Sequence, residues 1–312
     1  MSFSFTTQTA STAAYYLNRH NTLLAESLER LSSGNRLINA GVDPGGLAVA
    51  TKLNASISRL SAASTNVSNG ISLLQSQDAA LESAGTVLTR ISELKTLSQD
   101  ATKNSTEIQA YNTEFQQLRQ QLNNLSSGTF NGISLFATQN SATFGETTPV
   151  ATQLTIYTSE EGSAGGSIDI TKTALVSALN VKGTSAAGTS VDTTYAANEN
   201  LASATADTDG TASLGAFSSG DITNAINNIS NLRAVNGGGQ NALTFANTLL
   251  TNRSTALTSA VNNITAVDVA EETATQASLN ILIQSSTAAI TQANLQATTT
   301  LTLLSSLPGF NR

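Results

Sequence analysis

Cysteine and tryptophan are absent from this 312-residue chain, and histidine and methionine occur once each. Without cysteine there is no disulfide framework and no thiolate chemistry, though that absence does not by itself give the compartment. A lone histidine, His20, excludes the paired-histidine zinc motif of a protease. It also leaves a Ser-His-Asp triad no other base to recruit. Aromatic residues make up 4% of the chain, so the bulky fillers of an ordinary globular core are scarce. Helices packed side by side need fewer of them.

Basic charge is also thin: 14 Lys and Arg stand against 21 Asp and Glu, for a formal net charge of −7. No basic cluster marks a nucleic-acid footprint, because phosphate binding needs concentrated Lys and Arg. No apolar run approaches the roughly 20 residues of a membrane span, so membrane insertion is not expected. The opening MSFSFTTQTASTAAYYLN has neither a basic leader nor a continuous apolar stretch, and does not read as a general secretory signal. Export would take another route. Carboxylates such as Glu160 and Glu161 have no recognisable acid–base context. The expectation is a non-enzyme with no cofactor and no metal.

What the chain does have is small and polar residues threaded by helical stripes. Leu17, Leu24, Leu28 and Leu31 predict a first helix that Gly34 stops. Asp43 with Pro44 then forms a start signal, a capping carboxylate followed by a proline where its missing N–H costs nothing. Beyond it, Leu53, Ile57, Leu60, Ser64, Val67, Ile71 and Leu74 step by three and four as a coiled-coil seam. The seam then shifts to Ala80, Ala84, Val87, Ile91 and Leu94, which reads as a stutter. One helix from 44 to about 100 would be roughly 85 Å long. Thr106 with Gln109 reads as a capping box for a further helix. Its seam is Ile108, Tyr111, Phe115, Leu118, Leu122 and Leu125, with Gly128 as the stop.

From 137 to 217 the chain becomes rich in Gly, Ser and Thr. QLTIYTSEEGSAGGSIDI predicts two short strands around a turn, and 180–217 has too little apolar content for a core of its own. Periodicity returns on a seven-residue register through Ile222, Ile229, Leu243, Leu250, Leu257 and Ile264, with Asn236 as its polar member. Gly237, Gly238 and Gly239 each cost about 1 kcal/mol relative to Ala in a helix. Because the register holds across them, the helix is expected to continue or kink. Asp268 with Glu271 predicts a final capping box. The last helix carries Leu279, Ile283, Ile290, Ala293, Ala297, Leu304 and Leu307 on one stripe, and Ile281, Ala288 and Leu295 on another. So little of it is polar that one partner helix cannot cover it.

The fold class expected is mainly α: a long antiparallel helical bundle or coiled coil built from both chain ends, with a small β-hairpin and loop-rich central insert. Such packing puts the middle of the chain at the far tip of a rod.

LERLSSGNRLINAGVDPGGLAVATKL, residues 28–53, resembles the N-terminal hallmark of bacterial flagellins. So do VLTRISELKTLSQDATKNS and EFQQLRQQLNNLSSGTFNGISLF, in which Thr129, Phe130, Asn131 and Gly132 match the family's FNG turn. NLRAVNGGGQNAL and VDVAEETATQASLNILIQSSTAAITQANLQATTTLTLL look like its C-terminal signatures. The resemblance covers roughly residues 1–136 and 221–304, and several ordered motifs together make it specific.

It implies a structural subunit that polymerises into the flagellar filament for motility. It also implies export in unfolded form by a flagellum-specific type III system and an extracellular location. By the resemblance, residues 1–43 are the N-terminal helix and linker of the inner D0 coil and 44–136 the N-terminal part of the D1 rod. Residues 137–217 are then the variable outer segment with its β-hairpin, 218–266 the C-terminal part of D1, and 267–312 the C-terminal D0 helix. The implied partners are further copies of the chain, an export chaperone, the filament cap and hook-associated proteins.

Leu17, Leu24, Leu28, Leu31, Ile283, Ile290, Leu295 and Leu304 are the expected D0 filament interface. The ends would be disordered in the monomer and fold on assembly. In the family, the positions matching Arg90, Leu94 and Glu114 lie on a D1 surface contacted by the host innate receptor TLR5, which overlaps a subunit-packing surface. Arg90 and Glu93, three apart, also suffice as a plain helix-surface ion pair. Ser92 and Lys95 depart from the commonest recognised pattern, so packing and receptor recognition both stay open.

Asn-X-Ser/Thr triplets at Asn54, Asn66, Asn104 and Asn263 are expected by chance in so polar a chain. Asp43 and Pro44 are similar to the hook-filament junction protein, and a non-polymerising coiled-coil adhesin or effector is the other alternative.

Overall fold

The computed structural model describes residues 2–137, 153–179, 201 and 213–305, with the side chains at 2–7, 9, 304 and 305 outside the description. The described residues form α1 (Ser2–Ser33), α2 (Pro44–Ser98), α3 (Ser105–Ser126), the strand pair β1 (Thr129–Phe130) and β2 (Ile133–Ser134), and the pair β3 (Gln153–Tyr157) and β4 (Ser167–Thr171). They continue with a short α4 (Leu175–Ala178), then α5 (Ser219–Thr265) and α6 (Val269–Ser305). The fold is mainly α, as the periodicity predicts. Two compact units divide it: Met1–Ile57 with Thr255–Arg312, and Ser58–Ser254.

In the first unit α1 and α6 pack against each other, and they run antiparallel. Arg30 near the end of α1 pairs with Glu272 near the start of α6, at 3.6 Å. Gly34 ends α1 with φ of +70°, the left-handed turn that glycine enters without strain. The chain leaving α1 then pairs with the α5–α6 connection: Arg36 N–H donates to the Thr265 carbonyl at 2.8 Å, and Val267 N–H to the Gly34 carbonyl at 3.0 Å. Asp268 caps α6 by accepting from the N–H groups of Ala270 (2.9 Å) and Glu271 (3.2 Å).

Asp43 caps α2 in the same way, accepting from Gly46 N–H at 2.8 Å. A Cβ at position 46 would collide with the Asp43 carboxylate, so the glycine and the cap belong together. The Asp43–Pro44 pair, which prompted the junction-protein reading, serves here as a helix start.

The second unit holds most of the core. Leu60, Val67, Leu74, Leu81, Leu88, Ile91 and Leu94 of α2, Phe115 and Leu122 of α3, and Ile222, Ile229, Leu243 and Leu250 of α5 are all buried. The stutter expected after Leu74 does not occur. Gln77 is fully buried and keeps the step of three and four going through Leu81, Ala84, Leu88 and Ile91. Its Nε2 donates to the Leu135 carbonyl and the Thr173 hydroxyl, both at 2.8 Å. A polar side chain with two built acceptors can occupy a core position that an apolar pattern misses. The second stripe, Leu73, Val87 and Leu94, is a further buried face of the same helix.

The capping box of α3 lies two residues earlier than Thr106 and Gln109. Asn104 Oδ1 accepts from Thr106 N–H (2.9 Å) and Glu107 N–H (3.0 Å), while Glu107 Oε2 accepts from Asn104 N–H (2.9 Å). Asparagine caps better than threonine, and a glutamate at the third helical position closes the reciprocal bond. The FNG stretch is a two-residue hairpin loop in which Asn131 (φ 50°) and Gly132 (φ 78°) both take the positive φ of a type I′ turn.

β3 and β4 are the two strands expected in QLTIYTSEEGSAGGSIDI, paired antiparallel with Leu154 opposite Ile170 and Ile156 opposite Ile168. Their apolar face lies on the helices. A Cβ on Gly70 would come within 3.1 Å of Leu243 and 3.3 Å of Ile156. α5 runs unbroken through its three glycines, and Asn236, 2% exposed, donates to the Leu74 carbonyl at 2.9 Å.

Most of 180–217, expected to be loop, hairpin or flap, lies outside the described residues. Leu201, Leu214 and Phe217 from that stretch are buried. Leu214 is held at both backbone groups: its N–H donates to Asn112 Oδ1 at 2.9 Å, and buried Lys95 Nζ donates to its carbonyl at 3.2 Å.

Candidate assembly surface

α1 and α6 bury few side chains between them. Among the described residues of the two helices, Ser27, Glu272, Leu279 and Ala293 fall below a tenth exposed. Leu17, Leu24, Leu31, Ile283 and Ile290 are half-buried along the seam. Leu28 (46% exposed) and Leu295 (57%) turn away from it. Leu304 lies on the last turn of α6, and its side chain is outside the description.

Around these stand further large apolar residues, of which Ile281 alone belongs to a stripe named above. Tyr15, Tyr16 and Leu23 are exposed on α1, and Ile281, Leu282, Leu301 and Leu303 on α6. Fully burying a Leu or Ile side chain is worth about 1.5–3 kcal/mol, and each one left partly in water forgoes a share of that. So many on one helix pair is more than isolated surface leucines explain. The signal was present in the sequence, since positions flanking the seam are apolar too.

α5 carries a second exposed apolar face. Val235, Phe245 and Leu249 are 56%, 75% and 67% exposed, and they share helical spacing with the small residues Gly238 and Ala242. The heptad reading selected the opposite, buried face of this helix.

Arg90, Glu93 and Glu114 form one cluster across α2 and α3. Arg90 Nε donates to Glu114 Oε1 at 2.7 Å, Nη2 to Glu114 Oε2 at 3.2 Å, and Nη1 to Glu93 Oε2 at 2.9 Å. The fork holds the Glu114 carboxyl below its ordinary range through that hydrogen bond, and raises the Arg90 guanidinium above its own. Leu94 is fully buried, so it presents no side chain at that surface.

A second fork, Arg233 to both Asp78 oxygens at 3.0 and 3.1 Å, ties α5 to α2. The described residues contain no group of three acids or histidines placed to hold a metal. No described helix is long and apolar enough to cross a membrane. The terminal helix pair thus leaves large apolar side chains exposed among its described residues.

Residues 5–141 match the bacterial flagellin N-terminal helical region, and 220–304 the C-terminal helical region. The chain is 32% identical to a flagellin of Listeria monocytogenes over 282 residues, covering 89% of this chain and 91% of that one. It is 32% identical to a flagellin of Bacillus subtilis over 305 residues, covering 92% and 95%. With flagellin FlaB1 of Treponema pallidum it shares 28% over 291 residues, covering 92% and 94%. The chain belongs to the bacterial flagellin family and is a structural subunit of the flagellar filament.

Proposed function

We propose that α1 and α6 are the element through which copies of this chain join, and that the pair orders fully only in the polymer. The observation carrying this reading is the exposure of Tyr15, Leu28, Ile281, Leu295 and Leu303 beside a seam that buries so little. A two-helix pair with a thin core is marginal in water. Surrounding it with copies of itself removes the remaining apolar faces from solvent. A thousand or more Å2 of such burial suffices for a stable interface, once the ordering of both helices is subtracted.

The chain would leave the cell unfolded through the flagellar type III route, with its filament extracellular and serving motility. It would meet an export chaperone, the filament cap and hook-associated proteins on the way. The exposed cluster of Arg90, Glu93 and Glu114 offers a polar patch for a neighbouring D1 segment, and the same patch is what TLR5 would read. A receptor reporter assay on monomer, comparing the unmodified chain with Arg90→Ala, decides that second role.

Seeded polymerisation tests the main reading. Purified chain added to short filament seeds is expected to elongate into tubes, and chains lacking residues 1–33 or 269–312 are expected not to elongate. Elongation of either truncated chain at the full-length rate would overturn the role given to α1 and α6. Helix content by circular dichroism should rise on assembly.

A further inference from the structure

Among the described residues α1 and α6 pack chiefly on each other. What joins them to the start of α2 and the end of α5, all within the first unit, is two short connections, residues 34–43 and 266–268. These are tied together. Asn35 and Ala266 form an antiparallel bridge, closed on one side by Arg36 N–H to the Thr265 carbonyl and on the other by Val267 N–H to the Gly34 carbonyl. Leu37, the residue after Arg36, is buried.

One side chain extends that bridge to the helices beyond it. Arg36 Nε donates to the Ile264 carbonyl at 3.1 Å. With its main-chain bond to Thr265, Arg36 therefore satisfies two of the carbonyls that the last turn of α5 leaves without helical partners. Its Nη2 lies 3.5 Å from Asp43 Oδ2, while the other oxygen of that carboxylate, Oδ1, caps α2 through Gly46 N–H at 2.8 Å. The signs agree with both helices, since the guanidinium stands at the negative end of the α5 dipole and the carboxylate at the positive end of the α2 dipole.

The geometry points to Arg36 as the positioning residue of this joint, holding the direction in which the α1–α6 pair leaves α2 and α5 and so presenting that pair to neighbouring copies; this rests on the assembly role given to α1 and α6. Leverage is the reason one residue matters. α1 has 32 residues, about 48 Å at 1.5 Å per residue, and a swing of about 10° at its root carries the far end through about 8 Å. Close-packed side chains do not interdigitate across such an error. The Arg36 and Asp43 side chains are 47% and 38% exposed, so their pairing adds little to stability. Its consequence is aim.

Asn35 and Ala266 supply the test. They are the kind of antiparallel pair that exchanges no hydrogen bonds with each other, in which Cα atoms lie about 4.5 Å apart, and a disulfide spans about 4.4–6.8 Å. The chain has no cysteine of its own. Arg36→Ala is expected to raise the critical concentration for seeded polymerisation by about threefold to tenfold, with the denaturation midpoint of the monomer unchanged. Arg36→Lys should fall in between, because an ammonium lacks the guanidinium fork. Adding Asn35→Cys and Ala266→Cys to Arg36→Ala and oxidising should recover most of the loss, and a reductant should abolish the recovery.

Arg36→Ala chain that assembles at the unmodified critical concentration would overturn the positioning role. So would a disulfide that forms in Arg36→Ala filaments without improving assembly, or a drop in monomer stability large enough to account for the whole defect. If the two cysteines fail to join in filaments of chain that keeps Arg36, the bridge is absent and the joint with it. Failure of unmodified chain to polymerise, or full-rate elongation by the truncated chains, sinks the assembly role itself and is a distinct result.

Discussion

Residues 58–254 and the terminal helix pair are built from the same polar, aromatic-poor alphabet, yet they spend their apolar side chains in opposite ways. Between 58 and 254, Leu60, Leu74, Leu81, Leu88, Ile91, Leu94, Phe115 and Leu122 are closed off from water within one chain. On α1 and α6, side chains of the same size stand exposed, Ile281 and Leu303 at 66% each. The difference lies in how many elements surround each helix. α2 has α3, α5 and a hairpin to pack on, whereas among the described residues α1 and α6 pack chiefly on each other. A single chain satisfies the first arrangement, and the second is the one for which further copies are proposed.

The contrast is broken most sharply by truncating large side chains on each side of it. Phe115→Ala removes a ring that meets Phe217 edge-on at 5.8 Å and lies under the Arg119 guanidinium at 5.7 Å. It should cost the monomer about 3–5 kcal/mol, read by chemical denaturation. Leu295→Ala should change the same measurement by less than about 0.5 kcal/mol, while raising the critical concentration for assembly. Equal losses of monomer stability would show that the two regions are alike after all.

A smaller effect is expected at the start of α3. Asn104→Ala removes the side-chain half of a reciprocal capping box and should cost about 1 kcal/mol of monomer stability, with Asn104→Asp close to neutral. The terminal helices should not feel either change, which polymerisation rates would confirm.

The smallest effect concerns the Arg90–Glu114 fork, which is exposed and therefore screened by salt. Its carboxyl is held below the ordinary glutamate value of 4.5. A depressed carboxylate contributes stability that is fully present above that value and is lost as pH falls through the lower, folded value. Glu114→Gln should therefore unfold slightly more easily than the unmodified chain at pH 7, and the two should converge well below pH 4.5. A gap that persists in acid would assign the effect to packing and not to charge.

Much of this was legible because helices write a local code. Asp43 with Pro44, Asp268 with Ala270 and Glu271, and Gly34 act through atoms within a few residues, so reading them needed no knowledge of the fold. Gln77 shows where that stops. Its place in the core depends on Leu135 and Thr173, which are 58 and 96 residues away, and the apolar pattern around it suggested a stutter that does not exist. Asn104 and Thr106 both fit a capping pattern, and only the backbone chooses between them.

The sequence alone determined the helices, their ends and which stripe of each is apolar, because 3.6-residue periodicity and capping chemistry are local properties of the chain. Tertiary structure decided which of those stripes find cover within one molecule. That outcome depends on how many other elements the fold brings beside each helix, and α1 and α6 are left with apolar faces that no described part of the chain covers.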